Sequence, residues 1–264
     1  MNDKPDGSSR LNKTNSVGTS IGHDKDPSRI AAMFDDIADR YDILNHVLSV
    51  GLDYRWRARA VSVLTLSGTE TLLDLCTGTA DLAIAAAKRG NGNPGRVIGI
   101  DFSKRMLRFG QTKLREAHIR CVQLTQADAA HIPLIDGSVD AVVIGFGIRN
   151  VLDLGRVCAE VSRVLRPGGQ LVIIEFGVPR RRSLGAFIYW YVRRVLPWIG
   201  RIISRHQKAY TYLPASISAF SSPVALSKLL RASGFSVLQI SSLTFGMVYL
   251  YVAAKDLVHP LNES

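Results

Sequence analysis

Three aspartates lie within or at the end of apolar runs in the first half of the chain, in a pattern that suits nucleoside binding. Asp74 lies in the first run, whereas Asp101 and Asp128 each end a later one. If the runs are parallel strands, their carboxyl ends meet at one edge of a sheet, where ligands of open α/β folds bind. Asp101 would then accept hydrogen bonds from two ribose hydroxyls, and Asp128 would accept one from an adenine amino group.

The loop after the first run reads DLCTGTAD (74–81), and its composition favours a cationic ligand. Gly78 is its only glycine, so the GxGxxG fingerprint of dinucleotide-binding loops is absent. Asp74 and Asp81 flank the loop, and their carboxylates would repel a pyrophosphate at a helix start. S-adenosylmethionine, a nucleoside with a positive charge and no phosphate, fits this loop better. No metal is expected, because the three cysteines lie far apart without a CxxC spacing.

Each of these acidic residues also has a purely structural interpretation. Asp81 could only cap a helix and interact with its dipole. Asp74 could satisfy backbone donors in the turn, and Asp101 could be a solvated loop residue. The presence of the loop, Asp101 and Asp128 in register at successive strand ends favours a binding site over these alternatives.

The apolar runs alternate with helical patterns of ten to fifteen residues along most of the chain. This alternation predicts an α/β fold whose mostly parallel sheet carries helices on both faces. Residues 236–255 predict two more strands joined around 244–246, and so short a connection requires an antiparallel pair. A seven-stranded sheet with an antiparallel last strand is therefore expected. The first five strand candidates are 71–75, 96–101, 119–128, 139–147 and 168–176.

The order of these patterns predicts one domain, 27–258, behind a disordered polar tail, 1–26. Within the domain, helical periodicity broken near Gly51 predicts two amino-terminal helices. Ser103 and Asp153 are expected to cap later helices. The predicted segments are a helical cap (27–68), a cofactor-binding core (69–178), a basic aromatic helical insertion or lid (179–222), and a carboxyl-terminal helix with antiparallel strands (223–255).

The formal net charge is +11, and much of the excess lies in one segment, 180–208, with eight Lys or Arg and no acid. Aromatic and aliphatic residues interrupt this charge, and the apolar stretches are too short to span a bilayer. Such a segment could lie on a membrane surface. It could equally be a solvated lid or face a second subunit in a homodimer. The wide cysteine spacing fits a reducing cytoplasm.

Five stretches together resemble the ubiquinone/menaquinone biosynthesis C-methyltransferase family, within the class I S-adenosylmethionine-dependent methyltransferases. The likeness runs in order from about residue 29 to 255. It implies the Rossmann-like fold of that class, with S-adenosylmethionine as methyl donor and no metal. The stretches are YDILNHVLSVGLDYRWR, LLDLCTGTADLAIAAAKR, GFGIRNVLDL, VSRVLRPGGQLVIIEFGVP and AYTYLPASISAF.

The resemblance implies C-methylation of a polyprenylated hydroquinone, namely demethylmenaquinol to menaquinol. A 2-polyprenyl-6-methoxy-1,4-benzoquinol of ubiquinone biosynthesis is the alternative or additional substrate, because the same motifs serve both. Such a substrate implies a cytoplasmic enzyme that meets the inner face of the cytoplasmic membrane. Two other hypotheses remain at this point: a nucleic-acid methyltransferase, for which no binding module is visible, and a non-catalytic scaffold of a membrane complex.

The family's cofactor positions fall on residues of this chain at the four strand ends. Asp74 and Gly78 join them from the loop. The full set of expected cofactor-binding residues is Asp74, Gly78, Thr79, Asp101, Asp128, Ala129 and Gly145.

Three residues are the catalytic candidates for this chemistry. Arg149, at the end of the fourth strand, would stabilise a phenolate formed by deprotonation of the ring hydroxyl. Asn150 beside it would donate a hydrogen bond or hold water, and Tyr41 of the amino-terminal helices would join them. Arg149 could instead be a structural ion-pair residue.

The chain departs from the family pattern at two places. Family members read D-x-x-x-G-T-G-D in the loop, and Ala80 stands at the second glycine of that pattern. A methyl group there is expected near the methionine moiety, and cofactor affinity should fall if the native φ of Ala80 is positive. In the last strand Tyr251 and Ala253 replace a histidine and a glycine.

Overall fold

The structure is a computed structural model that describes residues 27–89, 92–177, 216–217, 220 and 222–257. Seven strands and six α-helices with described bounds lie along these residues. The helices are α1 (Pro27–Leu48), α2 (Leu52–Ser62), α3 (Asp81–Ala87), α4 (Lys104–Glu116), α5 (Leu154–Val164) and α6 (Pro223–Ala232). The strands are β1 (Thr71–Leu75), β2 (Arg96–Asp101), β3 (Val122–Gln126), β4 (Val139–Gly145), β5 (Leu165–Phe176), β6 (Phe235–Leu243) and β7 (Val248–Lys255).

The strands form one sheet in the order β3-β2-β1-β4-β5-β7-β6. Strands β1 to β5 are parallel, and β7 runs antiparallel to both of its neighbours. The predicted seven-stranded, mostly parallel sheet with an antiparallel last strand is therefore confirmed. The order reverses beside β1, so the loop after β1 lies at the switch point where such folds bind ligands.

Strand β5 begins at Leu165, earlier than the expected position 168. Val139 pairs with Leu165, but Ala141 pairs with Gln170, so the register of β5 shifts between these pairs. Gly168 has a φ of 73°, which glycine adopts without a steric penalty. The bulge thus includes the RPGG segment, of which the expected strand 168–176 contained only the two glycines.

Both faces of the central part of the sheet are buried. In β1, Leu73 and Leu75 belong to the core on one face, whereas Leu72 belongs to the core on the other. Covered faces explain why the strands read as nearly continuous apolar runs rather than as an alternating pattern.

The predicted local signals at three helix ends are confirmed. Ser103 and Asp153 are the N-caps of α4 and α5, and each side chain accepts a hydrogen bond from a backbone N–H in the first turn. Gly51, with a φ of 74°, separates α1 from α2. These caps place α4 and α5 directly after the strand ends at which the candidate residues lie.

Two sequence predictions are not tested by these coordinates. The segment 180–208 lies outside the described residues, as does the tail 1–26. The division of the chain into four functional segments stays a prediction. Within the described ranges, no helix is both long and apolar enough to cross a membrane.

Candidate functional site

The carboxyl edge of β1 to β4 brings the candidate residues to one side of the sheet. Asp101 and Gly145 end β2 and β4, and Asp128 follows β3 by two residues. Arg149 and Asn150 lie in a short 3₁₀ turn after β4 (Ile148–Asn150). The remaining candidates are Asp74 in β1, Gly78 and Thr79 in the loop after β1, Ala129 after β3, and Tyr41 in α1.

Cys76, the first residue of the β1–α3 loop, has several carboxylates near its thiol. Burial raises the pKa of its thiol well above the ordinary value, and four carboxylates raise it further. They are Asp101, Asp74, Glu175 and Asp128. Four carboxylates therefore lie within electrostatic reach of this loop. Such a group of carboxylates is expected to favour a cationic ligand over a pyrophosphate.

Asp101 fixes the loop after β1. Its Oδ2 accepts a hydrogen bond from the Gly78 N–H at 2.8 Å, and its Oδ1 accepts one from the Ser103 N–H at 2.9 Å. Burial raises the pKa of Asp101 to about 6, although these N–H donors lower it. The Phe102 N–H also hydrogen-bonds to this carboxylate. A carboxylate has about four lone-pair sites, so acceptor capacity for a ribose hydroxyl is expected to remain.

Asp74 has a buried oxygen without a hydrogen-bond donor. Its Oδ2 accepts from the Thr77 hydroxyl at 2.6 Å and from the Ala83 N–H at 2.9 Å, whereas its Oδ1 has no partner among the described residues. Burial raises the pKa of this carboxyl to about 7. The interpretation that Asp74 satisfies donors in the turn is correct for one oxygen, and the other is a buried acceptor without a donor among the described residues.

Ala80 has a φ of 66°, in the left-handed region that disfavours a side chain. The φ of Ala80 is therefore positive, which is the case in which the sequence analysis expects a lower cofactor affinity. The methyl group is fully buried and faces α4, where a Cβ placed on Gly110 would lie 3.2 Å from it. The expectation that this methyl lies near the ligand's methionine moiety stays a prediction.

Asp81 is not the N-cap of α3. Ala80 occupies that position, and Asp81 is the first helical residue. Its carboxylate pairs with Lys113 of α4 and lies 3.2 Å from Arg57 of α2. Its carboxylate therefore connects two other helices with the start of α3 and still suits the helix dipole.

Helix α1 contacts the loop through an acidic side chain that the sequence analysis missed. Asp42 accepts a hydrogen bond from the Thr79 hydroxyl at 2.6 Å and lies 2.8 Å from the Lys113 ammonium. A candidate cofactor-binding residue is thus held by α1. Acidic residues in α1 recur on one side, but only the packing reveals what each contacts.

Tyr41 lies on α1 beside the other candidates. Burial raises the pKa of its phenol, while a hydrogen bond with Asn45 and the charges of Arg149 and Arg57 lower it. The charge of Asp101 raises the pKa of Tyr41. The hydroxyl therefore stays protonated at neutral pH, within electrostatic reach of both the predicted ribose ligand and Arg149.

Arg149 forms a buried ion pair, as its structural interpretation predicted, with Glu175, a partner that the sequence analysis did not name. Its Nη1 donates to Glu175 Oε1 at 2.8 Å, and its Nε donates to the Ser216 hydroxyl at 3.3 Å. Glu175 is wholly buried near the end of β5. The available signal was an acid inside the apolar run LVIIEF, because buried acids are rare unless they are paired.

Three aromatic rings surround the same place. The Phe146 and Phe176 centroids are 4.6 Å apart, and Trp56 of α2 lies about 6 Å from each. The Arg149 guanidinium is 5.3 Å from the Phe176 centroid. Phe146 and Phe176 are only half-buried, so this aromatic cluster can present ring faces to a planar ligand.

Three other positions named in the sequence analysis have surroundings of their own. Asp128 has an exposed side chain whose Oδ1 accepts from the Ala130 N–H at 2.9 Å. Gly145 lies close to α3, since a Cβ there would be 3.0 Å from a Leu82 methyl group. Tyr251 is buried in β7, where burial and the charge of Glu175 raise its pKa.

The sequence model of the ubiE/COQ5 methyltransferase family matches residues 22–255 of this chain. The chain belongs to this family. Within it, the chain is 44% identical over 223 residues to a demethylmenaquinone methyltransferase of Thermus thermophilus, covering 84% of this chain and all of that protein.

A second member of the ubiE/COQ5 family shows a similar level of identity. The Citrifermentans bemidjiense protein named ubiquinone/menaquinone biosynthesis C-methyltransferase UbiE is 40% identical, over 86% of this chain and 96% of that protein. Among solved structures, a SAM-dependent methyltransferase from Aquifex aeolicus superposes with a TM-score of 0.56 at 17% identity. The superposition covers 87% of this chain and 98% of that one. At this identity the likeness shows the shared fold.

Proposed function

We propose that the protein transfers a methyl group from S-adenosylmethionine to a ring carbon of demethylmenaquinol, forming menaquinol. The observation that carries the reaction class is membership of the ubiE/COQ5 methyltransferase family over nearly the whole domain. Relatives of 44% and 41% identity named demethylmenaquinone methyltransferase support this choice of substrate.

The residues at the sheet edge fit the cofactor. When bound, S-adenosylmethionine supplies an electrophilic methyl group on a positively charged sulfur. The unpartnered Oδ1 of Asp74 is a buried acceptor for a cationic ligand, and Asp101 keeps lone pairs for the ribose. Gly78, with a φ of 56°, leaves open space where a Cβ would stand. Gly78, Thr79, Asp128, Ala129 and Gly145 complete the proposed set.

The aromatic cluster and Arg149 fit an electron-rich ring. Arg149 would orient the ring hydroxylate and stabilise its charge, with Glu175 holding the guanidinium in place. Asn150 would hold water, and the protonated Tyr41 would donate a hydrogen bond. The ring carbon exchanges its proton for the methyl group, and one proton is released to solvent in all, because the phenolate regains a proton when menaquinol forms.

The partners predicted from the sequence remain part of the proposal. A polyprenylated quinol is held by a membrane, so the enzyme is proposed to act at the inner face of the cytoplasmic membrane through segment 180–208. A homodimer is the other state in which that segment would be covered. No nucleic acid is included among the partners.

The direct test is transfer of a labelled methyl group by the purified protein to each quinol in detergent. We expect labelling of demethylmenaquinol, and Asp101→Ala should lose measurable cofactor binding in calorimetry. The name of the Citrifermentans bemidjiense relative favours 2-polyprenyl-6-methoxy-1,4-benzoquinol as a second substrate. Labelling of neither quinol, with labelling of transcribed RNA instead, would refute the proposal.

A further inference from the structure

Four large apolar side chains lie exposed at the corner where α1 meets α2. These residues, the corner patch, are Ile43, Val47, Val50 and Tyr54, with 57%, 42%, 76% and 60% of their surface exposed. Ile43 and Val47 are one turn apart on the same face of α1. The Tyr54 ring stacks on His46 with the centroids 4.3 Å apart, so α2 places Tyr54 beside α1. All four exposed side chains therefore lie at the one corner between α1 and α2.

The backbone at the tip of the patch is strained and well fixed. Val50 has a φ of 53°, which is a rare conformation for a β-branched residue. The turn is held because the Gly51 N–H donates to the His46 carbonyl at 2.8 Å and the Ser49 hydroxyl donates to Asp53 at 2.6 Å. The fold thus supports a strained backbone that holds an apolar side chain out in solvent.

The surface next to the patch on the α2 side is cationic. The outward face of α2 consists of Tyr54, Arg55, Ala58, Arg59 and Ser62, all of them exposed. Within α2, every residue of which is described, the one acid is Asp53, and it is buried against Arg57. An apolar tip beside two exposed arginines complements an anionic lipid surface, where apolar groups enter the interface and basic groups meet head groups.

The patch lies on the outer side of the helices that carry the site. Tyr41 of α1 faces Asp101 and Arg149, and Trp56 of α2 contacts the aromatic cluster. The Trp56 Nε1 also donates to the Thr244 hydroxyl at 2.9 Å, which places the β6–β7 connection beside α2. In that connection Phe245 is 62% exposed and has a φ of 56°. Phe245 is therefore a second exposed apolar side chain, on the β6–β7 connection that contacts α2.

We propose that the corner patch enters the interfacial region of an anionic lipid bilayer, with Arg55 and Arg59 contacting the head groups. The inference rests on the proposed function for its purpose, since it would bring the site to a membrane-held quinol. The contact itself depends only on the exposed apolar and basic side chains. It uses no residue of segment 180–208, which lies outside the described residues.

The test is co-sedimentation of the full chain with vesicles of phosphatidylcholine containing phosphatidylglycerol. Val50→Asp should weaken vesicle binding at least tenfold. Val50→Gly should also weaken binding, because it removes the apolar side chain, while glycine suits the positive φ and preserves the fold. Replacement of Arg55 by Gln should weaken binding about fivefold on anionic vesicles and leave binding to phosphatidylcholine alone unchanged.

Matched controls replace exposed apolar residues elsewhere on the surface. Leu238 on β6 and Ile135 in the β3–β4 connection are more than half exposed, as the patch residues Ile43, Val50 and Tyr54 are. They lie outside the corner patch, so Leu238→Asp and Ile135→Asp should bind vesicles as the wild type does. Equal losses in these controls would overturn the proposal. Unchanged binding in both Val50 variants would also overturn it, as would a dimer that Val50→Asp dissociates without affecting vesicle binding.

A further measurement separates this inference from the proposed function. Methyl transfer to a short-tailed demethylmenaquinol in detergent should be the same for Val50→Gly and the wild type. Loss of vesicle binding with retained transfer supports the patch. If vesicle binding depends only on the arginines of 180–208, the patch proposal fails while the methyltransferase proposal stands.

Discussion

Glu175 Oε1 accepts a hydrogen bond from Arg149 Nη1 over 2.8 Å, and neither side chain is appreciably exposed. Removing one member of a buried ion pair leaves the other charge uncompensated, at a cost of about 3 to 5 kcal/mol. Arg149→Ala should therefore lower the free energy of unfolding by that amount, besides reducing turnover. Urea denaturation of the purified variant measures the first effect.

The matched variant is Arg149→Met combined with Glu175→Gln, which removes both charges. Its stability should recover most of the loss, whereas methyl transfer should remain at least tenfold below the wild type. Recovery of turnover together with stability would mean that Arg149 serves only the structure. Cofactor affinity should be nearly unchanged in the double variant, because Asp74 and Asp101 are intact.

Ala80→Gly should stabilise the loop, since alanine at a φ of 66° is strained by about 1 kcal/mol. Cofactor affinity should rise about two- to fivefold if the loop is more readily held in its binding conformation. Isothermal titration with S-adenosylmethionine measures it. A lower affinity would mean that the methyl contact with α4 outweighs the strain.

Asp74 should make the stability of the cofactor-free protein depend on pH. Burial raises its pKa from 3.8 to about 7, so between these values the folded state holds a proton that the unfolded state has released. The free energy of unfolding should therefore fall as pH rises through this window. Asp74→Asn removes this contribution and should be more stable than the wild type at pH 8, by on the order of 4 kcal/mol. Urea denaturation at pH 5 and pH 8 tests the difference.

The same titration should appear in cofactor binding with the opposite sign. A cationic ligand favours the ionised carboxylate, so the affinity of the wild type should increase between pH 6 and 8. In Asp74→Asn the affinity should be weaker and nearly independent of pH. An identical slope in both proteins would assign the titration to another group, with Asp101 the first to examine.

Asp42→Ala should loosen the contact between α1 and the loop, because Asp42 holds both the Thr79 hydroxyl and Lys113. These side chains are partly exposed, so the expected loss of cofactor affinity is about two- to fivefold. Hydrogen exchange of the α1 amides should become faster. The control is Asp39→Ala, on the same helix α1 as Asp42. It breaks a more exposed pair with Arg105 of α4 and should change cofactor affinity little.

Local sequence patterns were enough to predict the sheet and the edge at which the site lies. Alternating apolar runs and helical segments predict parallel strands, and the caps at Ser103 and Asp153 depend on neighbours within one turn. The choice of Asp101 as a candidate follows directly from its position at a strand end. The beginning of β5 was predicted less well, because its first residues pair across a bulge that has no local signal.

What the sequence by itself determined is the fold, the family motifs and the edge of the sheet where the candidates meet. Only the tertiary structure decided which of them interact. Arg149 and Glu175 are 26 residues apart, and Asp42 is 37 from Thr79, so their contacts depend on how α1 and β5 pack around the loop. The left-handed backbone of Ala80 and the unpartnered oxygen of Asp74 likewise arise from packing between elements, which spacing along the chain does not encode.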